Sequence, residues 1–260
     1  MKKIVAAVTA ILVLALCLVG CAPKAEDDNK FVLGLDDSFP PMGYKDDNGD
    51  IVGFDIDLAE KVCEKLGYEL VLQPINWDSK DVELSSGGVD CLWNGFSINE
   101  KRKETMNLSI PYMKNTQAVV VLADSDINTL SDLSGKIVGV QAGSTAMDAI
   151  DSKPEVKETF GELIELDDNM MAIQELKAGT LDAVVADEIL INYYTSSDSA
   201  AFKVLEENFG EEEYAIGFKK GNDELCETVN AALEELTNDG TVAELAEKYE
   251  IADMVILKAE

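Results

Sequence analysis

The chain contains no histidine. That absence excludes Ser-His-Asp and Cys-His nucleophile activation and the two-histidine zinc helix of metalloproteases, and it removes the commonest general base. An enzyme built on this sequence would have to work with carboxylates, lysine, tyrosine or cysteine. Cations are scarce as well: 21 Lys and Arg stand against 51 Asp and Glu, for a net charge of −30. Nucleic acid and electrostatic docking on anionic lipid both need basic patches, so both are excluded as partners. The acid excess reads as a solvated, self-repelling surface. Cysteines number five, and none falls in a CxxC or other zinc spacing. Neither a structural metal nor a disulfide framework is indicated, and no cofactor motif appears.

What is present begins at the N-terminus. Met1-Lys2-Lys3 precedes an uncharged apolar run, Ile4 to Val19, that ends in Leu18-Val19-Gly20-Cys21. The run is shorter than the roughly 20 residues of a membrane span and has the layout of a signal peptide. Leu-Val-Gly-Cys resembles the lipobox of bacterial lipoproteins, which implies cleavage before Cys21 and a diacylglyceryl thioether on its sulfur. The alternatives are an uncleaved anchor helix or a plain signal peptide. Residues 1–20 are thus expected to be a signal peptide and 21–30 a lipid-anchored tether. Removing the first 20 of 260 residues leaves 240, with 47% apolar residues in the whole chain. That suits one large domain or two lobes. Cys63, Cys91 and Cys226 then remain, read as buried free thiols, with a Cys63–Cys91 bridge as the alternative.

From Phe31 onward, short apolar runs alternate with amphipathic segments of helical length. Strands are expected at Phe31–Leu35, Leu70–Leu72, Val89–Trp93, Ala118–Leu122, Ile137–Val140, Leu163–Leu166, Ala183–Ala186, Phe202–Leu205 and Tyr214–Phe218. Helices are expected at Asp55–Leu66, from Thr145, at Met170–Lys177, Ile189–Tyr194, Asp223–Thr237 and Val242–Tyr249. Asn48-Gly49 marks a hairpin turn. Strands alternating with helices mean α/β architecture with largely parallel sheets.

Two apparent motifs fail. Asp46-Asp47-Asn48-Gly49-Asp50 places Ile51 where a calcium loop needs glycine, and Ser134-Gly135-Lys136 lacks the upstream glycine of a P-loop. Gly139 to Thr145 reads as strand, turn and helix start. Such a terminus either offers backbone N–H groups to an anion or carries an ordinary Ser or Thr cap. Arg102 stands out among cations that are nearly all lysine. Its planar fork suits a carboxylate; the plain alternative is a surface ion pair. Phe39 and Trp77 read as core aromatics when taken alone.

Together these residues resemble a family. Gly53-Phe54-Asp55-Ile56-Asp57-Leu58-Ala59 resembles the Gly-Phe-Asp-x-Asp-Leu signature of the family 3 solute-binding proteins, which bind polar amino acids for ABC importers. Asn94-Gly95-Phe96-Ser97-Ile98-Asn99-Glu100-Lys101-Arg102, Leu108 to Tyr112, Asp132 to Val140 and Leu181 to Asp187 follow in the family's order and spacing. Asn99 stands where the family usually has Thr, a departure confined to that position's hydrogen bond. The resemblance covers about Phe31 to Tyr249.

It implies a type II periplasmic-binding-protein-like fold with two α/β lobes, 31–112 plus 215–260 and 117–209, joined by two crossover hinge strands. It also implies that Arg102 holds a ligand α-carboxylate, helped by Ser97 and the Thr145 backbone, while Asp187 and the Gly95 carbonyl hold the α-ammonium. Asp36, Phe39, Trp77, Asn94 and Gln141 match positions near the ligand side chain. Asp36 favours an amide or basic group over an acid. The implied protein is no enzyme but a monomeric, extracytoplasmic, lipid-anchored carrier. Its partners would be a free amino acid and an ABC permease with its ATPase. The rival functions are a dehydratase-like enzyme on the same fold, working through a carboxylate such as Asp36, and a sensor module, which the absence of a following membrane span or kinase disfavours.

Overall fold

The computed structural model describes residues 29–259. The signal segment, Cys21 and most of the tether therefore lie outside the described residues. Along the chain come β1 (Lys30–Leu35), β2 (Ser38–Phe39), β3 (Gly43–Lys45), β4 (Ile51–Val52), α1 (Phe54–Leu66), β5 (Glu69–Pro74), α2 (Lys80–Ser86), β6 (Cys91–Leu92), α3 (Glu100–Thr105) and β7 (Met106–Leu108). Then follow β8 (Met113–Leu122), β9 (Ile137–Gln141), α4 (Thr145–Asp151), α5 (Pro154–Lys157), β10 (Glu162–Leu166), α6 (Asn169–Ala178), β11 (Ala183–Asp187), α7 (Glu188–Ser197), β12 (Phe202–Val204), β13 (Gly210–Tyr214), β14 (Gly217–Lys219), α8 (Asp223–Asn238) and α9 (Thr241–Lys248). The architecture is α/β and two-lobed, with one large sheet in each lobe.

The first sheet has the order β5-β1-β6-β14-β7, and the second β10-β9-β11-β8-β12, with β13 also paired to β8. Strands linked through helices run parallel, as in Leu33↔Cys91 of β1 and β6 and Leu163↔Val138 of β10 and β9. Strands beside the chain crossings run antiparallel: β8 against β11, β12 and β13, and β14 against β6 and β7. The expectation of largely parallel sheets therefore holds only for the helix-linked strands. Tyr214–Phe218 is also not one strand. It divides at Ala215-Ile216, with β13 in the second sheet and β14 in the first. The run Tyr214-Ala215-Ile216-Gly217-Phe218 is apolar and buried throughout, so it cannot report a change of sheet.

Helix α1 begins where the sequence places glycine for a physical reason. Gly53 has φ +145° and ψ 172°, a region open essentially to glycine alone. The turn lets Phe54 and Asp55 donate their backbone N–H groups to the carbonyls of Pro41 and Met42 at 2.8 and 2.9 Å. Those are donors that a helix start cannot satisfy internally. Gly67, left-handed at φ 77°, ends the helix. β11 is buried along its whole length, as the unbroken apolar run Ala183 to Ala186 requires of a central strand covered on both faces. Cys63, Cys91 and Cys226 are free and buried.

Asp55 is wholly buried; its Oδ2 accepts from the Gly95 backbone at 2.7 Å and the Tyr112 hydroxyl at 2.9 Å. Burial raises its pKa from the usual 3.8 to about 7. The native state thus keeps a proton that the unfolded chain gives up. Stability from this group is full below about pH 4 and is lost as pH rises towards 7. Asp55→Asn should remove this component, which is on the order of a few kcal/mol. Urea unfolding at pH 5 and pH 8 reads the effect as a smaller pH difference in the variant. An unchanged difference would mean Asp55 is ionised in the native protein.

Candidate functional site

Four parallel strands deliver the candidate residues from their carboxyl ends, where open α/β sheets bind ligands. Asp36 follows β1, and Asn94, Gly95 and Ser97 follow β6. Gln141 ends β9, just ahead of Thr145 at the start of α4, and Asp187 ends β11. Trp77 opens a 3-10 turn, Trp77–Ser79, after β5, and Arg102 sits in α3. All ten sequence-predicted residues, Asp36, Phe39, Trp77, Asn94, Gly95, Ser97, Arg102, Gln141, Thr145 and Asp187, line one narrow cavity, together with Ser144.

Arg102 is the only arginine in the chain. Its helix is six residues long, and Asn99 caps it by accepting from the Arg102 backbone at 2.7 Å. The Asn99 amide also reaches Asp148 Oδ2 at 2.7 Å, so Asn serves where the family has Thr. The guanidinium lies 3.9 Å from the Phe96 ring centroid and donates to the Ser97 carbonyl at 2.5 Å. Among the described residues it forms no ion pair. Burial lowers its pKa to about 10, and it stays charged at neutral pH. A buried guanidinium without a carboxylate partner is a site for an anion.

Ser144 is the residue before α4, yet it makes no side-chain cap. Its hydroxyl turns back to the Gln141 carbonyl at 2.8 Å. The ordinary-cap alternative is thereby corrected, and α4 opens on the cavity without a side-chain acceptor.

The opposite pole is acidic. Asp187 Oδ1 accepts from Asn115 at 2.6 Å, Gln117 at 3.1 Å and the Tyr214 hydroxyl at 2.7 Å. Burial and the neighbouring Glu212 carboxylate push the Asp187 carboxyl well above the usual range. Glu212 Oε1 accepts from Ser97, Asn115 and Gln117 at 2.7, 2.8 and 2.7 Å. Asn115, Gln117, Glu212 and Tyr214 were not identified from the sequence. The one available signal was the alternation of β13, which puts Glu212 on the face of buried Tyr214 while Glu211 and Glu213 are exposed.

A third polar group spans the two sheets. Gln141 Nε2 donates to Asp36 Oδ2 at 2.6 Å, and its Oε1 accepts from Asn169 at 2.9 Å. Asp36 Oδ1 accepts from the Ser38 backbone and hydroxyl. Burial nevertheless raises the Asp36 pKa. Asn94 accepts from the Asp36 backbone at 3.1 Å, so it braces the Asp36 turn. Thr145 Oγ1 meets Ser97 Oγ at 3.0 Å, and Lys80 Nζ donates to the Gly143 carbonyl at 2.6 Å. Elements of the two sheets thus meet directly around the cavity.

The family model of bacterial extracellular solute-binding proteins, family 3, matches residues 31–252. The chain is 29% identical to an L-cystine-binding protein of Escherichia coli K12, over 90% of this chain and 88% of that protein. It is 31% identical to an arginine-binding extracellular protein of Bacillus subtilis 168, over 96% and 98%. Among solved structures it is similar to a substrate-binding protein of an ABC uptake transporter from Streptococcus pneumoniae with bound histidine. The TM-score is 0.85 and the identity 33%, covering 88% of this chain and 95% of that one. Among the described residues no helix is long and apolar enough to cross a membrane.

Proposed function

The chain belongs to family 3 of the bacterial extracellular solute-binding proteins, and on that premise we propose that it captures one free α-amino acid outside the cytoplasmic membrane and delivers it to an ABC permease and its ATPase. The observation that carries this reading is that Arg102, a guanidinium with no ion pair among the described residues, and a buried acidic group, Asp187, line one small cavity. An amino acid carries a carboxylate and an ammonium on one carbon. It can satisfy both poles at once, whereas a simple acid or amine satisfies one. In this reading the lobes are 31–112 plus 215–260 and 117–209. Arg102 belongs to the first and Asp187 to the second, so the bound zwitterion holds them together.

The side-chain end carries Asp36, with Gln141, Phe39 and Trp77. Asp36 repels an acidic ligand and accepts hydrogen bonds from an amide or cationic one. The bound amino acid is therefore Gln, Arg, Lys or His. A thermal-shift screen against the twenty amino acids tests this. At a hundredfold excess over Kd, binding adds about 2.7 kcal/mol, or roughly 5–11 °C in Tm for a chain of this size. A shift with glutamate or aspartate and none with the four named ligands would reject the side-chain assignment. No shift with any amino acid would reject the function.

The lipobox-like segment gives the carrier its place, through a lipid on Cys21. Cys21→Ala should move the protein from the membrane fraction to the soluble fraction and leave amino-acid affinity unchanged. Continued membrane partition after normal signal cleavage would reject the anchor.

A further inference from the structure

We infer that Lys80 is a positioning residue for amino-acid capture: from the first lobe its ammonium holds the turn that precedes α4 in the second, and so lengthens the life of the closed complex without touching the amino acid. The inference rests on the proposed two-lobed capture of an amino acid. It adds a residue that belongs neither to the sequence motifs nor to the cavity wall.

The setting of Lys80 is unusual for a lysine. Among the described residues it is the one buried lysine, 5% exposed. It stands at the first position of α2, where a cation meets the positive end of the helix. Among the described residues no carboxylate forms an ion pair with it. Burial and the neighbouring Arg102 lower its pKa to about 8, while Asp81 and Asp78 pull the other way. It is therefore mainly protonated at pH 7. An ammonium taken out of water needs compensation from hydrogen bonds.

Those bonds join the two sheets. Lys80 Nζ donates to the Trp77 carbonyl at 3.1 Å, within its own lobe, and to the Gly143 carbonyl at 2.6 Å, 63 residues further along the chain. The same ammonium lies 5.4 Å from the centroid of the Trp77 ring, within reach of a cation–π contact. α2 packs on β6 and β14 of the first sheet, whereas Gly143 follows β9 of the second. The backbones approach closely as well. Gly143 has φ +68°, and a β-carbon there would lie 3.0 Å from the Asp78 Cα and 3.1 Å from Lys80 Nζ. Glycine supplies both the left-handed turn and the room for this approach.

What the bond holds bears on the ligand. Gly143 lies between Gln141 and Ser144-Thr145, and all three of those residues line the cavity, as Trp77 does. One ammonium thus fixes a piece of the cavity wall from each lobe. Lys80 itself is not among the lining residues, so its effect does not depend on the ligand side chain. A second bond joins the same region, from Asn99 Nδ2 to Asp148 Oδ2 at 2.7 Å, but it is exposed and water competes for it. The Lys80 bond is charge-assisted and its donor is buried, so it contributes more.

The test uses Lys80→Met, which keeps the length of the side chain and removes its charge and donors. Radiolabelled L-arginine, L-glutamine, L-lysine and L-histidine are each bound to the whole protein, and their release is followed after a chase with unlabelled amino acid. Loss of one charged hydrogen bond should speed release by about 10- to 100-fold. The factor should be the same for every ligand held, with the association rate little changed. The ligand-free variant should melt within about 2 °C of wild type, since the bond to Gly143 is absent when the lobes part. A residue that merely supports α2 would instead lower that temperature and leave release unchanged. Wild-type release rates in a folded Lys80→Met, or faster release of some bound ligands and not others, would overturn the inference and leave amino-acid capture standing. Failure of the wild-type protein to hold any of the four would reject the proposed ligands and the inference with them.

Discussion

Arg102→Ala is expected to reduce amino-acid affinity by about 30-fold to several thousand-fold, and Asp187→Ala by a similar factor. Removing one partner of a desolvated charge pair costs about 2–5 kcal/mol, because the other charge stays buried without compensation. Arg102 forms no ion pair among the described residues and rests on the Phe96 ring, so its loss should leave the ligand-free fold intact. Asp187 is the acceptor for Asn115, Gln117 and Tyr214. Its truncation should therefore lower ligand-free stability as well, and Asp187→Asn is the milder control. Arg102→Lys should restore only part of the affinity, since a point charge cannot make the two-pronged contact. Calorimetry gives the affinities, and small-angle scattering shows whether an added amino acid still compacts the protein. Near-wild-type affinity in either alanine variant removes that residue from the site and rejects bridging by the zwitterion.

Gly53→Ala should cost about 3–5 kcal/mol of stability, far more than an ordinary surface substitution. A β-carbon at Gly53 would lie 2.2 Å from the Met42 carbonyl oxygen, 2.5 Å from its carbon and 2.8 Å from the Gly43 nitrogen. None of these backbone atoms can swing aside as a side chain would. The positive φ adds about 1–3 kcal/mol of strain. Moving the Met42 loop away would also break the bonds from Phe54 and Asp55 that satisfy the start of α1, at about 1 kcal/mol each. For a protein of this size the melting temperature should fall by about 10 °C. Gly49→Ala is the matched control: its φ is +88°, but nothing lies within 4 Å of the added carbon. That variant should lose only about 1 kcal/mol. Equal losses in the two variants would mean the close approach at Gly53 is relieved without cost.

The same glycine shows how a sequence signature carries a structural requirement. Gly53-Phe54-Asp55 identifies the family, and the structure gives each residue a task. Gly53 permits the tight approach, Phe54 is buried in the core, and Asp55 holds the Gly95 backbone. A positioning role for Asp55 on the cavity wall is not visible from the signature, because Gly95 lies 40 residues further along the chain.

Periodicity by itself determined the helices α1, α6, α8 and α9 and most strands, because apolar spacing of 3.6 or 2 residues follows directly from which face is buried. The family resemblance, carried over position by position, supplied the ten residues that line the cavity; Asp36, Phe39, Trp77, Gln141 and Thr145 lie outside the ordered motifs. Tertiary structure alone decided three things. Helix α3, which presents Arg102, spans Glu100–Thr105, too short for a periodic signal. The exchange of sheets between β13 and β14 falls inside an unbroken apolar run, since both sheets bury the same kind of residue. Finally, Glu212 sits in an acidic run, Glu211-Glu212-Glu213, that reads as solvated surface. Only the pairing of β13 with β8 turns its middle residue towards Asp187. A charged side chain's environment is set by the strand opposite, and that strand lies almost a hundred residues away, as the separation of 97 between Asn115 and Glu212 measures.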